Sequence, residues 1–240
     1  MQYTFQDNKY SRGTIDKLIR GAAGEKYSRE LTDIFCSGLQ NNLLPKYKAK
    51  QIVITALPDY LNKWVQHYFK GFELRPSKRK GNQSSTVPDS LLKEIYHLLH
   101  ADLSEKEVLN VANGHSVMMT IENIIGDMLE EYLSIMLKPQ GWLCCWGTTI
   151  KSVDFCKTDG TLLQIKTSDN SENSSSSAVR TGTSILKWAR RKALKHDEYY
   201  WNDLIELTGN KKVSEKDFRN FVRKTINANP NCIYIVNDKK

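Results

Sequence analysis

The apolar positions of this 240-residue chain change their period near residue 140. Before that point they recur at helical intervals. Thr14 precedes Ile15, Leu18 and Ile19, which share one face, and predicts a first helix start. Ser28 to Leu44 places Leu31, Ile34, Phe35 and Leu39 on a second helix. Pro58 precedes a stripe of Tyr60, Leu61, Trp64, Val65, Tyr68 and Phe69, which reads as core rather than as a platform for stacking bases. Arg75 to Ser90, rich in Pro, Gly, Ser and basic residues, reads as a linker. Helices are expected again over Ser90–Leu99 and from Ser104, where Glu107 offers a capping-box partner. A longer one is expected over Ser116–Leu137, ended by Pro139 and Gly141.

Beyond Gly141 short apolar runs take over. Trp142–Trp146, Ile150–Phe155 and Leu162–Thr167 read as strands, with Asp159-Gly160 as a hairpin turn. A loop rich in serine and asparagine follows. Ser184–Leu194 then reads as a basic helix, Ser214–Ile226 as another, and Ile233–Val236 as a late strand. The expected fold class is α/β, a mixed central sheet flanked by helices behind a mainly helical N-terminal region. Residues 1–110 read as a helical region that can form a subdomain of its own, and 111–240 as the α/β core.

Composition narrows the class. Hydrophobic residues make up 40% and charged residues 26%, as in a soluble globular protein. No apolar run approaches the roughly 20 residues of a membrane helix. Residues 1–7 lack a basic-then-apolar signal pattern, so a cytoplasmic location is expected. The five cysteines form no C-x-x-C pair and no zinc-spaced cluster, and read as reduced core thiols. The five histidines show no ligand spacing, and no phosphate-cradling G-x-x-x-x-G-K is present.

The net charge is +8, unevenly spread: +7 over residues 1–100, −6 over 101–175 and +7 over 176–240. Basic flanks attract phosphate backbones, and a carboxylate-rich middle suits a cation.

Within that acidic middle stands Asp154-x9-Gln164-Ile165-Lys166. Alternate residues of a strand face one side, so Gln164 and Lys166 point together, towards Asp154 if the strands are neighbours. Phosphodiester hydrolysis needs a hard cation, an oriented water and stabilisation of the leaving oxygen. Asp154 is an anionic ligand for Mg²⁺; the amide oxygen of Gln164 and the main-chain carbonyl of Ile165 are neutral ones. Lys166 can hold the attacking water or stabilise charge on the phosphate. Glu122, Gly126 and Glu130 share a face of the preceding helix at i, i+4 and i+8.

The pattern resembles the PD-(D/E)xK nuclease superfamily, over roughly Ser116 to Lys166. Val153 stands in place of the signature proline and Gln164 in place of the usual acid. The missing charge puts a tightly held second metal in doubt. The resemblance implies a restriction-endonuclease-like core and a metal-site glutamate on the helix. Glu130, twelve residues before Trp142, is preferred for it, with Glu122 as the alternative.

The segment after Lys166 is similar to type II restriction endonucleases of the SinI kind. It runs Thr167-Ser168-Asp169-Asn170-Ser171-Glu172-Asn173, then four serines, Ala178-Val179-Arg180-Thr181-Gly182-Thr183, and Lys187-Trp188. The similarity covers about Gly126 to Phe221. It implies Mg²⁺-dependent, site-specific cutting of double-stranded DNA at a short near-palindrome, a GGWCC-type site. It also implies 5′-phosphate and 3′-hydroxyl ends, and a companion methyltransferase. A palindrome is met most economically by a homodimer. Asn170, Asn173, Ser175 and Ser176 suit base edges, Arg180 suits guanine or phosphate, and Lys187 suits the backbone.

Two other readings share these residues. One is a structure-directed or repair nuclease with the same core. The other is a DNA-binding protein whose core has lost catalysis.

Overall fold

A computed structural model describes residues 10–81, 90–100, 104–169 and 183–233. The described residues hold helices α1 (Arg12–Ala23), α2 (Arg29–Gln40), α3 (Leu57–Glu73), α4 (Ser90–Leu99), α5 (Glu105–Met136), α6 (Trp201–Thr208) and α7 (Glu215–Ala228). A small hairpin pairs β1 (Lys48–Ala49) with β2 (Ile52–Val53). The main sheet runs in the order β3 (Leu143–Cys144), β4 (Phe155–Cys156), β5 (Leu162–Ser168) and β6 (Ile185–Arg191). Its first three strands are antiparallel and β6 lies parallel to β5. The α/β class with a mixed sheet flanked by helices is therefore the observed one.

Helix boundaries follow local chemistry. Ser11, not Thr14, caps α1, its Oγ accepting the N–H of Thr14 at 3.1 Å. The helix expected to reach Leu44 stops at Gln40. The capping box at Ser104 forms in both directions. It opens one helix of 32 residues that continues through Ser116, so two expected helices are one. Gly141, at φ 78°, ends the following 3-10 turn in the left-handed region that glycine favours. Ser214 caps α7 through the N–H of Asp217.

The main correction concerns residues 184–194. They form strand β6, not a basic helix. Its register on β5 runs from Leu162↔Ile185 to Ser168↔Arg191. Lys and Arg are good helix formers, but tertiary contacts decide here. Trp188 is buried, and its Nε1 donates to Tyr200 O at 2.7 Å. Arg190 forms two bonds to Glu215, at 2.8 and 2.9 Å. The short helix α6, which supplies Trp201 to this cluster, was not expected. Of the late strand, Ile233 lies outside any strand and 234–236 fall outside the described residues.

The first two expected strands are shorter than their apolar runs, whereas the third, β5, runs one residue further, to Ser168. Residues 149–152 turn rather than extend, with Ser152 at φ 55°. The Asp159-Gly160 turn forms as expected: Lys157 N–H donates to Thr161 O, and Asp159 Oδ1 accepts from Thr161 N–H.

The first half of the expected linker is a clamped turn. Buried Glu131 on α5 accepts from the N–H and Oγ–H of Ser77 and pairs with Arg75 at 3.4 Å. Arg79 pairs with Asp127 at 2.6 Å, and Asn229 Nδ2 donates to Pro76 O and Arg79 O.

One hydrophobic cluster runs from Ile15 to Cys232. The α5–α7 side of the sheet is closed by aromatics: Tyr132 meets Trp201 and Phe218, and Trp201 meets Trp188. Helix α3 and the segment that follows α2 hold the loop after β3. Trp64 Nε1 donates to Thr149 O at 3.0 Å, and Tyr47 Oη to Thr148 O at 3.0 Å. All five cysteines are free thiols. No helix among the described residues is long and apolar enough to cross a membrane.

Helix α3 comes unusually close to that loop. A β-carbon on Gly71 would lie 2.6 Å from the Cα of Gly147, which itself has φ 69°. Neither backbone can yield cheaply. Gly71→Ala is expected to destabilise the fold by about 3 kcal/mol, the cost of overpacking a core. Urea denaturation checks this; an unchanged midpoint contradicts the close packing.

Candidate active site

The site is built where β4 leaves β5. Val153 is buried and anchors the chain entering β4. Asp154 N–H donates to Leu163 O at 3.0 Å, and Asp154 O accepts from Cys145 N–H at 2.8 Å. Its carboxylate Oδ2 accepts the N–H of Ile165 at 2.7 Å. A side chain thus fills a position that a neighbouring strand carbonyl would hold. This fixes the Asp154 carboxylate against β5 and leaves its second oxygen facing the cleft.

That cleft, of about 270 Å³, is lined by Glu130 and Gly126 of α5, Asp154, and Ile165 to Thr167 of β5, with Glu122 and Asn123 at its rim. Gly126 carries no side chain where α5 crosses β5; a β-carbon there would already lie 3.7 Å from Thr167 Cγ2. The structure therefore brings together Asp154, Lys166, Ile165 and Glu130 from distant parts of the sequence. Glu122 also lines the cleft but is exposed, whereas Glu130 is half-buried.

Gln164 behaves differently. Strand alternation gives it the same side of β5 as Lys166. It is 3% exposed and does not line the cleft. Its Oε1 is buried with no hydrogen-bond partner, a costly state for a polar atom.

The electrostatics are dominated by desolvation. Burial raises the Glu130 carboxyl well above the usual carboxylate range, and the nearby charges of Asp154 and Asp127 raise it further. Burial also raises Asp154, opposed by the Ile165 N–H and by the charge of Lys166. Two carboxylates that resist ionising together call for a cation, as Lys166 only partly offsets them.

The donor set suits Mg²⁺, which takes hard oxygen ligands and retains several waters. Asp154 and Glu130 supply carboxylate oxygens. The N–H and C=O of one strand residue point to the same edge, so the Ile165 carbonyl faces the side on which Asp154 stands. Gln164, expected as a further neutral ligand, does not line the cleft, and its Oε1 is buried apart from this donor set. No group of three or more His, Cys, Asp and Glu side chains able to hold a metal occurs among the described residues. A cation here would complete its shell with neutral oxygens and water.

Family comparison agrees with this geometry. The profile described as SinI restriction endonuclease matches residues 23–228. The chain belongs to that family. It is similar to type II restriction enzyme Eco47I of Escherichia coli, 35% identical over 164 residues, 66% of this chain and 70% of that enzyme. It is also 34% identical over 163 residues to type II restriction enzyme SinI of Salmonella infantis, again 66% and 70% of the two chains.

Within the family core, sequence reasoning missed Cys144, whose Sγ–H donates to Glu130 Oε1 at 3.6 Å. Its signal was an apolar run that concealed a polar role. Asp169, read as part of a recognition loop, is a structural cap. It accepts from Ala193 N–H and from Tyr200 Oη–H. Asn170, Asn173, Ser175, Ser176 and Arg180 lie outside the described residues. Lys187 is exposed on β6, in register with Gln164.

A carboxyl raised in the folded state binds its proton more tightly there than in the unfolded chain. Its contribution to stability is present at low pH and declines as pH rises from the usual carboxylate range through the folded value. Without added metal, Glu130→Gln should therefore melt higher than the wild type at neutral and alkaline pH, with the gap closing near pH 4. Thermal melts across pH in EDTA test the sign. A variant less stable at every pH means that Glu130 carries a structural bond rather than a strained charge.

Proposed function

We propose that this chain is a type II restriction endonuclease making site-specific, Mg²⁺-dependent double-strand cuts in DNA, with a GGWCC-type sequence as the candidate site. The observation that carries the reading is the cleft in which Asp154, Glu130 and Lys166 converge on β5 within a SinI-family chain. Asp154, Glu130 and the Ile165 carbonyl are the residues to hold Mg²⁺. When bound, the cation would neutralise charge on the scissile phosphate and lower the pKa of a coordinated water.

The chain's own groups do the rest. Asp154 is held in place by the Ile165 N–H, so its free oxygen is oriented before DNA arrives. Lys166 donates protons towards a phosphate oxygen and positions the attacking water. Glu130, orientated by Cys144, keeps a second carboxylate beside Asp154. Arg180, Asn170, Asn173, Ser175, Ser176 and Lys187 are the proposed DNA-reading and backbone-contacting residues. A methyltransferase acting on the same site is the partner that would spare host DNA.

We propose further that two copies meet a palindromic duplex as a homodimer, through the helical region 1–110 and the start of α5. The outer side of the α4–α5 hairpin supports this. Leu91, Ile95, Leu98, Val111, Met118 and Met119 are all exposed there. Exposed apolar side chains gathered on two adjacent helices are the kind of surface that a second copy would cover.

Digestion of a fully sequenced plasmid tests the activity. Mg²⁺ should yield discrete fragments, EDTA none, and Lys166→Ala a loss of at least roughly 100-fold in rate, as for removal of a positioned electrostatic group. Smearing or junction-only cutting would favour a structure-directed nuclease, and intact plasmid in every metal a DNA-binding protein. Light scattering after size exclusion tests the dimer: the wild type should run as a dimer and Leu98→Glu/Met118→Glu as a folded monomer. A dimeric double variant places the interface elsewhere.

A further inference from the structure

Beside the catalytic cleft lies a second cavity of about 310 Å³. It is formed by Arg79, Lys80 and Gly81 on one side and by Thr120, Asn123 and Asp127 of α5 on the other. Asn123 lines both cavities. The two are therefore neighbours along α5, one facing the carboxylates and Lys166, the other facing a basic segment.

That segment is held with more effort than a surface loop needs. Ser77 and Arg75 are tied to buried Glu131, and Gly81 N–H donates to Asn231 O at 2.6 Å. Asn229 holds the carbonyls of Pro76 and Arg79. Such bonds fix the direction in which the side chains of 78–80 leave the main chain. Lys80 lies at the cavity mouth.

The charges fit a polyanion passing by. Asp127 is the carboxylate that would repel a phosphate approaching this cavity, and Arg79 neutralises it at 2.6 Å. The Arg79 side chain stays 23% exposed while it pairs with Asp127, so part of the guanidinium, with its five N–H donors, still faces solvent. Guanidinium and ammonium groups set beside each other are the usual means of fixing a nucleic-acid backbone in register without reading its sequence.

We propose that Arg79 and Lys80 form a phosphate-binding site for the DNA backbone next to the scissile position, reached across Asn123 from the catalytic cleft. This deepens the nuclease reading and rests on it. The site adds register rather than sequence choice: it sets which phosphodiester stands over Asp154 and Lys166. Its positive charge also offsets the carboxylates of α5 as the strand approaches.

Fluorescence anisotropy of a short labelled duplex in EDTA, titrated across salt concentrations, tests it on the full chain. Removing one cation from a DNA phosphate should lower the slope of log K against log salt by about 0.9. Lys80→Ala should show a drop of that size and bind several-fold more weakly at low salt. Arg79→Ala should show a similar drop, with thermal melting to establish that the variant is folded. Lys211→Ala, in the loop next to Asn210, which binds Met136 O at the far end of α5, should match the wild type. Steep wild-type salt dependence with an unchanged slope in Lys80→Ala and in folded Arg79→Ala overturns this site while leaving the nuclease reading intact. A wild type that binds no duplex overturns both.

Discussion

Two carboxylates held close together away from water set the terms for the rest of this molecule. Asp154 is fixed by the N–H of Ile165, and Glu130 by its place on α5 and by the Cys144 thiol. The charge of Lys166 offsets that of Asp154, whereas the charges of Asp154 and Asp127 add to the effect of burial at Glu130. The fold must be stable enough elsewhere to carry that repulsion. It is carried by the aromatic layer joining α5, α6, α7 and β6, and by the close seating of α3 on the loop after β3. A cleft that disfavours carboxylate charge is the kind of place where the proposed cation and phosphate would be welcome.

Helix α5 links the parts. Its N-terminal half carries exposed apolar residues on the α4 side. Its middle carries Asn123, Gly126 and Glu130 towards the catalytic cleft, and Asp127 and Glu131 towards the clamped basic turn. Its C-terminal end is buried under Trp201 and Phe218 through Tyr132. One rigid rod thus relates the proposed dimer surface, the candidate metal ligands and the proposed phosphate site.

The grouping of the candidate site residues was legible where they obey local rules. The period of two in β5 puts Gln164 and Lys166 on one side, and helical spacing puts Gly126 and Glu130 on one face. The strands β3 to β5 followed from the change of period near Gly141. What was not legible depended on partners far along the chain. Residues 75–81 read as a linker because their tethers, Glu131 and Asp127, stand 54 and 48 positions away. Strand β6 read as a helix because lysine and arginine favour helices. Only pairing with β5 and the burial of Trp188 reverse that preference. The burial of Gln164, away from the cleft lining, was equally hidden, since alternation gives a side chain its direction and not its depth.

The claim that the carboxylate pair is a cation site is tested most directly by calorimetric titration of Mg²⁺ into the duplex-bound protein in two buffers of different ionisation enthalpy. A raised carboxyl must give up its proton before it can bind a metal, so the wild type should release protons as Mg²⁺ binds near neutral pH. Glu130→Gln should bind Mg²⁺ more weakly and release fewer. Tight Mg²⁺ binding with no proton release, unchanged by Glu130→Gln and by Asp154→Asn, would contradict the account.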